Sequence, residues 1–321
     1  MPKILIIRFS SIGDIVLTSP VIRNVKQQVA NCELHFCTKS AFKNIVEHNP
    51  YLSKIHTYDN DLNQLVESLR KEEFDYILDL HNNLRSRIIK LKLNVRSYSF
   101  DKLNFRKWLL VNLKVDKMPR VHIVDRYLAT AKTLGVINDG LGLDYFIPEK
   151  DVIDKKTLPF PFTNGYAAFA IGAQHFTKRL PEIKVVEFCK QIKLPIILLG
   201  GKEDREGAER ITAALNDPQK VLNYCGKVNL HQSASLAQQS ETVYVNDTGM
   251  MHIAAALKKP IVSFWGNTTP LFGMYAYKTE NIIVENNTLP CRPCSKIGYS
   301  KCPKGHFKCM SDLQLPLPFP K

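Results

Sequence analysis

The chain has 321 residues, 45% of them hydrophobic and 23% charged, which is typical of a globular protein large enough for two domains. No apolar run approaches the roughly 18 residues that a membrane-spanning helix requires. The apolar run at the N-terminus, residues 4–7, is too short for a signal peptide. We therefore exclude an integral membrane protein and expect a cytoplasmic one.

The charge balance is strongly basic, with 44 Lys and Arg residues against 30 Asp and Glu residues and a formal net charge of +14. Much of the surplus lies between Arg85 and Arg126. Such a surplus favours anionic partners, and nucleic acid, an anionic membrane surface and a phosphorylated substrate all fit it. A basic, solvated face without a partner fits it as well.

In the first half of the chain, short apolar runs alternate with helical patterns. The predicted strands cover residues 4–7, 33–37 and 76–80. The predicted helices cover residues 14–29, 41–46, 62–71, 85–93 and 121–134, and Gly135 is the predicted C-cap of the last helix. This alternation predicts a parallel α/β sheet.

The alternation stops in the Pro-rich stretch 147–162, which is the predicted linker. It restarts with predicted strands at 166–171, 195–199, 221–224, 242–245 and 261–264, and predicted helices at 182–192, 205–215, 230–239 and 249–257. The fold class is therefore α/β with two doubly wound domains, residues 1–150 and 151–321. Ligands are expected in a cleft at the carboxyl ends of the strands.

The stretch 242–260 holds the first candidate site. A predicted strand is followed by Asn246, Asp247 and Thr248, and then by a helix starting at Gly249. Asp247 or Thr248 can cap that helix, whose first N–H groups and positive dipole end suit a diphosphate. His252, one turn later, can reach the same anion. An ordinary capped turn between strand and helix explains the pattern equally well.

The stretch 8–20 repeats this arrangement of strand, polar loop and helix. Ser10, Ser11 and Gly13 form the loop, and Asp14 lies at the start of the helix. Asp14 can complement the helix dipole, or it can act as the general base that takes the proton of an acceptor hydroxyl. The stretch lacks G-x-G-x-x-G, which argues against a nicotinamide-dependent oxidoreductase.

The stretch 173–181 follows a predicted strand and contains Thr177, Lys178 and Arg179 before a helix. A cation here can neutralise a departing nucleoside diphosphate, since no Asp-x-Asp motif for a divalent metal is present. A solvent-exposed basic turn is the alternative interpretation.

Four cysteines cluster near the C-terminus, Cys291, Cys294, Cys302 and Cys309. Disulfides are disfavoured in a cytoplasmic protein, and the leading C-x-x-C resembles a structural zinc site. The spacing is irregular for a zinc ribbon, so reduced thiols that pack in the interior remain an equal alternative.

Together these segments resemble the ADP-heptose:lipopolysaccharide heptosyltransferases, inverting glycosyltransferases of family 9 with the two-domain GT-B fold. The resemblance covers most of the chain. It rests on RFSSIGDIVLTSP, DLHNNLRSRII, KRLP, LLGGKEDREGAERI, VNDTGMMHIAAAL with KKPIVSFWG, and the cysteine cluster. Leu180 replaces the Trp that usually follows Lys-Arg in the family. The resemblance therefore fixes neither the packing beside the nucleotide nor the identity of the acceptor.

The resemblance implies roles for individual residues. Asp14 would be the catalytic base, and Lys178 would contact the diphosphate or stabilise the leaving group. The implied donor-binding residues are Ser11, Gly13, Thr177, Glu203, Asp247, Thr248, Gly249 and His252, with the choice between Glu203 and Asp204 for the ribose left open. The implied acceptor-binding residues are Arg85, His122 and Arg126, and His122 and Arg126 would share one face of a helix.

The predicted function is transfer of heptose from ADP-heptose to the lipopolysaccharide inner core by a monomer at the inner face of the inner membrane. It requires no cofactor. The alternatives are another nucleotide sugar or glycan acceptor in the same fold, and a non-catalytic protein that binds an anionic polymer. Nucleic acid is disfavoured as a partner because interleaved aromatic and basic residues are absent.

Overall fold

The computed structural model describes residues 1–315, and residues 316–321 lie outside the described part. The chain forms two compact units. The first contains residues 1–103 and 120–146, and the second contains residues 104–119 and the chain from Ile147 onward. The division predicted at residues 150 and 151 treats each domain as one continuous stretch, whereas the structure assigns 104–119 to the second unit.

The first unit contains a five-stranded, fully parallel sheet in the order β3-β2-β1-β4-β5. Its strands are β1 (Lys3–Ile7), β2 (Glu33–Lys39), β3 (Lys54–Tyr58), β4 (Tyr76–Asp79) and β5 (Arg96–Ser99). The first helices of the chain are α1 (Ile12–Val16), α2 (Ser19–Gln28), α3 (Leu62–Arg70) and α4 (Leu84–Leu93), followed by α5 (Asn104–Trp108) in the second unit and α6 (Ile123–Leu128) in the first.

The centre of this sheet positions the candidate site around Asp14. Ile4, Leu5, Ile6 and Ile7 of β1 are fully buried, as the apolar run predicts. In the register between β1 and β4, Ile7 lies opposite Asp79. Since the strands are parallel, the residues that follow them, Arg8 and Leu80, emerge together at the carboxyl edge of the sheet.

The second unit contains a six-stranded parallel sheet in the order β11-β10-β9-β6-β7-β8. Its strands are β6 (Ala167–Ala170), β7 (Ile196–Leu199), β8 (Val221–Asn223), β9 (Thr242–Asn246), β10 (Ile261–Trp265) and β11 (Asn281–Glu285). Its remaining helices are α7 (Glu182–Gln191), α8 (Arg205–Leu215), α9 (Leu230–Gln239), α10 (Gly249–Ala256) and α11 (Lys308–Ser311). Within residues 1–315, no helix has the length and apolar character needed to cross a membrane.

The predicted helix 14–29 is wrong as one continuous element, because α1 ends at Val16 and α2 begins at Ser19. Pro20 has no N–H, and its ring would clash with the carbonyl of Val16 inside a continuous helix. The interruption leaves carbonyl groups without helical partners. The hydroxyl of Thr18 donates to Ile15 O at 2.6 Å, and that of Ser19 donates to Val16 O at 2.7 Å.

Other predicted elements hold with local differences. The stretch 41–46 forms a 3₁₀ helix (Ser40–Ile45), and α6 continues as a 3₁₀ helix (Ala129–Leu134). Gly135 ends that helix with a φ of 77°, which confirms the predicted C-cap. Sequence patterns missed the strands β3, β5 and β11 at the edges of the two sheets. β3 and β5 carry mostly polar side chains, as edge strands often do, whereas β11 contains the short apolar run Ile282–Val284, which was not recognised as a strand.

Candidate functional site

In the first unit, both carboxylate oxygens of Asp14 contact neighbouring side chains or backbone groups. It is the third residue of α1, and Ser11 precedes the helix in an extended conformation. The backbone N–H and the hydroxyl of Ser11 donate to Oδ2 of Asp14 at 3.2 and 3.0 Å. Nη2 of Arg8 lies 2.7 Å from Oδ1 of Asp14. Gly13 is buried in the first turn of the helix, whereas Asp14 remains partly exposed, so its carboxylate is oriented and still accessible.

The cation beside Asp14 is itself fixed from the interior. Nη1 of the buried Arg8 donates to Leu80 O at 2.6 Å and to the hydroxyl of Tyr127 at 3.0 Å, and its Nε donates to Ser10 O at 2.8 Å. Burial lowers the pKa of Arg8, but the charge and hydrogen bond of Asp14 raise that pKa more, so the net shift is upward. Asp14 is therefore paired with a permanent, immobile positive charge.

His81 and Lys102 lie in the electrostatic environment of Arg8 and Asp14, and sequence patterns did not identify either of them. Burial, and then the charges of Arg8 and Lys102, lower the pKa of His81 to about 4. Burial and the charge of Arg8 also lower the pKa of Lys102. A neutral imidazole therefore belongs to the Asp14 environment at pH 7. No local signal pointed to it, since the residues come together only through the pairing of β1 with β4.

The segment that resembles D-L-x-x-x-x-R-S orders the start of α4. Oδ1 of the buried Asp79 accepts from the backbone N–H groups of His81 and Asn82 at 3.1 and 2.7 Å. Its Oδ2 accepts from the hydroxyl of Ser86 at 2.8 Å and lies 2.9 Å from Nζ of Lys90. These contacts leave Arg85 exposed, with its guanidinium 5.6 Å from the ring centroid of Tyr58.

The other two predicted acceptor residues are both buried. His122 is the N-cap of α6, where its Nδ1 accepts from Val124 N–H at 3.2 Å. The expectation that His122 and Arg126 share a helix face is therefore wrong in detail, because His122 precedes the helix. Arg126 donates to Asp101 O at 3.2 Å, and burial lowers the pKa of Arg126. Their roles at an acceptor stay predictions.

In the second unit, Lys178 and Asp247 form an ion pair. Nζ of Lys178 lies 2.7 Å from Oδ2 of Asp247 and 3.2 Å from its backbone oxygen. The hydroxyl of Thr268 donates to the same Oδ2 at 2.7 Å. Lys178 ends a 3₁₀ turn before α7, and Asp247 directly follows β9. The two predicted residues, 69 positions apart in sequence, are therefore brought together.

The start of α10 differs from the expected capped turn. Thr248 is the N-cap but makes no side-chain cap bond, and the carboxylate of Asp247 contacts Lys178 and Thr268 instead. Gly249 is only partly buried in the first turn, so the backbone of that turn remains accessible, whereas His252 is buried. A helix terminus without a side-chain cap suits an incoming anion.

Two further predicted donor residues have local structural contacts. The hydroxyl oxygen of buried Thr177 accepts from Tyr299 N–H at 2.8 Å, and Thr177 N–H donates to Tyr299 O at 3.2 Å. Asp204 accepts from Gly201 N–H at 2.9 Å, and burial raises its pKa. Of the two acidic residues considered for the ribose, Asp204 therefore supports the glycine loop, while Glu203 is exposed.

The four C-terminal cysteines do not form a metal centre in the described residues. Cys309 packs in the core of the second unit, and Cys291 Sγ lies 3.7 Å from Nε2 of His306. Burial raises the pKa of Cys309 to about 12 and raises the pKa of Cys294. Zinc requires converging thiolates, and among residues 1–315 no three of these thiols have their sulfur atoms within 4.8 Å of one another. The expected zinc site is therefore not supported.

One group of metal-capable side chains does come together in residues 1–315: His35, His56 and Glu72. Nδ1 of His35 lies 3.0 Å from Nε2 of His56, and Nε2 of His35 lies 2.8 Å from Glu33. Glu72 pairs with Lys54 and, at 3.8 Å, with Lys3. Within the first unit, both ring nitrogens of His35, Nε2 of His56 and the carboxylate of Glu72 therefore already have partners.

Comparisons with known proteins identify a family. The model of glycosyltransferase family 9 (heptosyltransferase) matches residues 62–303, a range that includes Lys178 and Asp247 and begins after Asp14. Lipopolysaccharide heptosyltransferase 2 of Salmonella typhimurium is 26% identical over 293 residues, which cover 84% of this chain and 84% of the relative.

Two solved Escherichia coli structures share the fold. ADP-heptose lipopolysaccharide heptosyltransferase II superposes with a TM-score of 0.71 at 22% identity, covering 92% of each chain. A heptosyltransferase bound to ADP-2-deoxy-2-fluoro heptose gives a TM-score of 0.67 at 20% identity, covering 92% of this chain and 96% of that one. The predicted GT-B fold class, with two Rossmann-like domains, is confirmed.

Proposed function

This chain belongs to glycosyltransferase family 9, and from that premise we propose that it transfers heptose from ADP-heptose to the inner core of lipopolysaccharide. The observation that carries the proposal is the pair of carboxylate–cation contacts at the carboxyl ends of central strands. One is Arg8–Asp14 in the first unit and the other is Lys178–Asp247 in the second, each at 2.7 Å. The named substrates of the relatives supply the donor and the acceptor.

Asp14 is the general base of the proposed reaction. Its carboxylate takes the proton of the acceptor hydroxyl as that oxygen attacks the anomeric carbon of the heptose. The bond between this carbon and the phosphate oxygen breaks, ADP leaves with the bonding electrons, and the configuration at the carbon inverts. The bonds from Ser11 and the ion pair with Arg8 orient the carboxylate for this step.

Lys178 and the first turn of α10 receive the donor diphosphate. The positive charge of Lys178 offsets the charge that develops on the departing ADP, and the uncapped N–H groups near Gly249 donate to its oxygens. The ion pair with Asp247 positions Nζ of Lys178, and the hydroxyl of Thr268 holds the carboxylate of Asp247. Glu203 is the better candidate for the ribose hydroxyls because its side chain is exposed and that of Asp204 is not.

The acceptor is an anionic glycolipid, which suits a chain with a net charge of +14. Arg85 is exposed at the start of α4 and is the most accessible of the predicted acceptor residues. The protein works at the cytoplasmic face of the inner membrane as a peripheral protein.

The test is a transfer assay with purified protein, a panel of nucleotide sugars and two lipid A–core acceptors, one without heptose and one that already carries a first heptose. The expected result is a heptosylated acceptor with ADP-heptose and product at least about 100-fold less with other donors, since a transferase discriminates through its transition state. Efficient transfer from a different nucleotide sugar, or to a different glycan, would assign the alternative activity of the same fold.

A further inference from the structure

One stretch of the second unit exposes an unusual number of large apolar side chains. Helix α5 and the π-helical turn Leu109–Leu113 present Phe105 with 71% exposure, Trp108 with 47% and Leu113 with 56%, and Val115 is exposed directly after them. The rings of Phe105 and Trp108 stack, with centroids 6.4 Å apart and an interplanar angle of 9°. Single exposed apolar residues are common, but a contiguous group of them marks an interaction surface.

The segment is anchored to the second unit by other side chains. Leu110 is buried, and Nζ of Lys114 donates to Cys291 O at 3.0 Å and to Pro293 O at 2.7 Å. Lys107 lies over the ring of Phe272, 5.7 Å from its centroid. The backbone is therefore fixed from one side, and the aromatic side chains are held outward before any partner arrives.

The charges around these apolar side chains are mostly positive. Arg106, Lys107, Lys114 and Lys117 lie in this stretch, and its acidic residue is Asp116. Arg106 and Lys117 are exposed, and Nη1 of Arg106 donates to Lys117 O at 3.4 Å, which keeps the two cations adjacent. We call Phe105, Arg106, Trp108, Leu113, Val115 and Lys117 together the 104–117 surface.

This combination fits a lipid bilayer better than a nucleic acid. Trp and Phe rings enter the interfacial layer of a membrane, and Lys and Arg side chains extend to anionic headgroups above it. A nucleic acid would use the aromatic rings for stacking, but it offers no apolar environment to Leu113 and Val115. The aliphatic side chains therefore favour lipid.

We propose that the 104–117 surface docks this protein on the surface of an anionic lipid bilayer. This inference rests on the proposed function for its biological setting, because an acceptor anchored in a membrane must be reached from that membrane. The contact is shallow and reversible, since a short segment with two exposed cations and four exposed apolar side chains anchors less firmly than a membrane-spanning helix.

Tryptophan fluorescence tests the proposal directly. The chain has two Trp residues, and Trp265 is 1% exposed inside the second unit. A change in emission on adding vesicles therefore reports Trp108. We expect a blue shift and co-sedimentation with phosphatidylcholine vesicles that contain phosphatidylglycerol. With pure phosphatidylcholine, or at high salt, binding should fall at least about 10-fold because the headgroup attraction is lost or screened.

Variants distinguish vesicle binding through the 104–117 surface from nonspecific hydrophobic binding. The double variant Phe105→Ser/Leu113→Ser should lower vesicle binding about 10-fold or more, and Arg106→Gln/Lys117→Gln should lower it several-fold. The matched control is Ile183→Ser on α7, which removes a side chain with 78% exposure from a different part of the same unit. The control should bind vesicles as the parent protein does.

Three outcomes would overturn the proposal: no blue shift with anionic vesicles, equal losses in the Ile183 control and the Phe105/Leu113 variant, or stronger binding to single-stranded DNA than to vesicles. Circular dichroism and thermal unfolding confirm that each variant is folded. Vesicle binding without heptose transfer would reject the proposed function and support membrane docking by the 104–117 surface. Transfer to a detergent-dispersed acceptor without vesicle binding would support the proposed function and reject membrane docking.

Discussion

Both units place an aspartate after a central strand and pair it with a cation at 2.7 Å, but the two pairs are built in opposite ways. In the first unit the cation, Arg8, is buried and held by Leu80 O and Tyr127, while Asp14 is partly exposed. In the second unit Asp247 is buried and also bonded by Thr268, while Lys178 ends a short turn.

The difference indicates which member of each pair meets a substrate. A buried, multiply bonded group serves as the support, and its accessible partner is the group that is presented. On this basis the first unit presents a carboxylate, which suits proton transfer, and the second presents an ammonium group, which suits a diphosphate.

The largest effect is expected at Asp14. Asp14→Asn keeps the size of the side chain and an oxygen acceptor for Ser11, but it removes the carboxylate that is the proposed base. We expect the turnover rate to fall roughly 10³-fold, within the range for loss of a general base, and ADP-heptose binding to stay within about twofold. Rates come from the transfer assay and affinity from calorimetry. Near-normal turnover would remove Asp14 from the mechanism.

Arg8, the buried cation that pairs with Asp14, should contribute to the free energy of unfolding. Arg8→Met removes a buried guanidinium and leaves Leu80 O and Tyr127 without a donor. We expect a loss of about 3 kcal/mol in the free energy of unfolding, as for other broken buried pairs. Urea titration measures it. Arg70→Met, at an exposed ion pair on α3, is the control and should change stability by less than about 1 kcal/mol.

Lys178 should behave differently from Asp14. Lys178→Met should lower kcat/KM roughly 10²-fold and should weaken ADP binding as well, because the proposed role places the ammonium group against the diphosphate in both the bound and the reacting state. Lys178→Arg retains the charge and should recover part of both losses. If Lys178→Met left ADP binding unchanged, the ion pair with Asp247 would be structural only.

The smallest expected effect is a dependence of stability on pH that originates in the first unit. Burial, followed by the charge of His35, lowers the pKa of His56 to about 4 in the folded state from an ordinary value of 6.5. The unfolded chain binds a proton below pH 6.5 and the folded chain does not, so stability is lost as the pH falls from about 6.5 to 4. We expect a loss of about 1–2 kcal/mol between pH 7 and pH 5.

The variant His56→Gln checks the origin of that loss. Gln does not titrate, so urea titrations at pH 7 and pH 5 should differ less in the variant than in the parent protein. His81, whose pKa is also lowered to about 4, should contribute a second loss of the same sign. An identical pH dependence in parent and variant would exclude His56 as the source.

Local patterns predicted most of the fold. The helices α8 and α9 and the central strands agree with their predicted bounds, because apolar runs and helical periodicity report burial within a few residues. The edge strands β3 and β5 were missed because they lack that pattern, and the short apolar run of β11 was not recognised as a strand. The separation of α1 from α2 was missed although Pro20 was visible, since periodicity outweighed the effect of one proline.

The sequence by itself determined the type of chemistry: the segments around Asp14, Lys178 and Asp247 identified the family and the candidate site residues. Only the tertiary structure decided how those residues are paired. Lys178 reaches Asp247 because β6 lies beside β9, and Arg8 reaches Leu80 because β1 lies beside β4. The contact of Arg8 with Tyr127 of α6 likewise joins residues far apart in the chain. Strand pairing brings together residues that are distant in the chain, and no local pattern encodes which side chain then becomes the support.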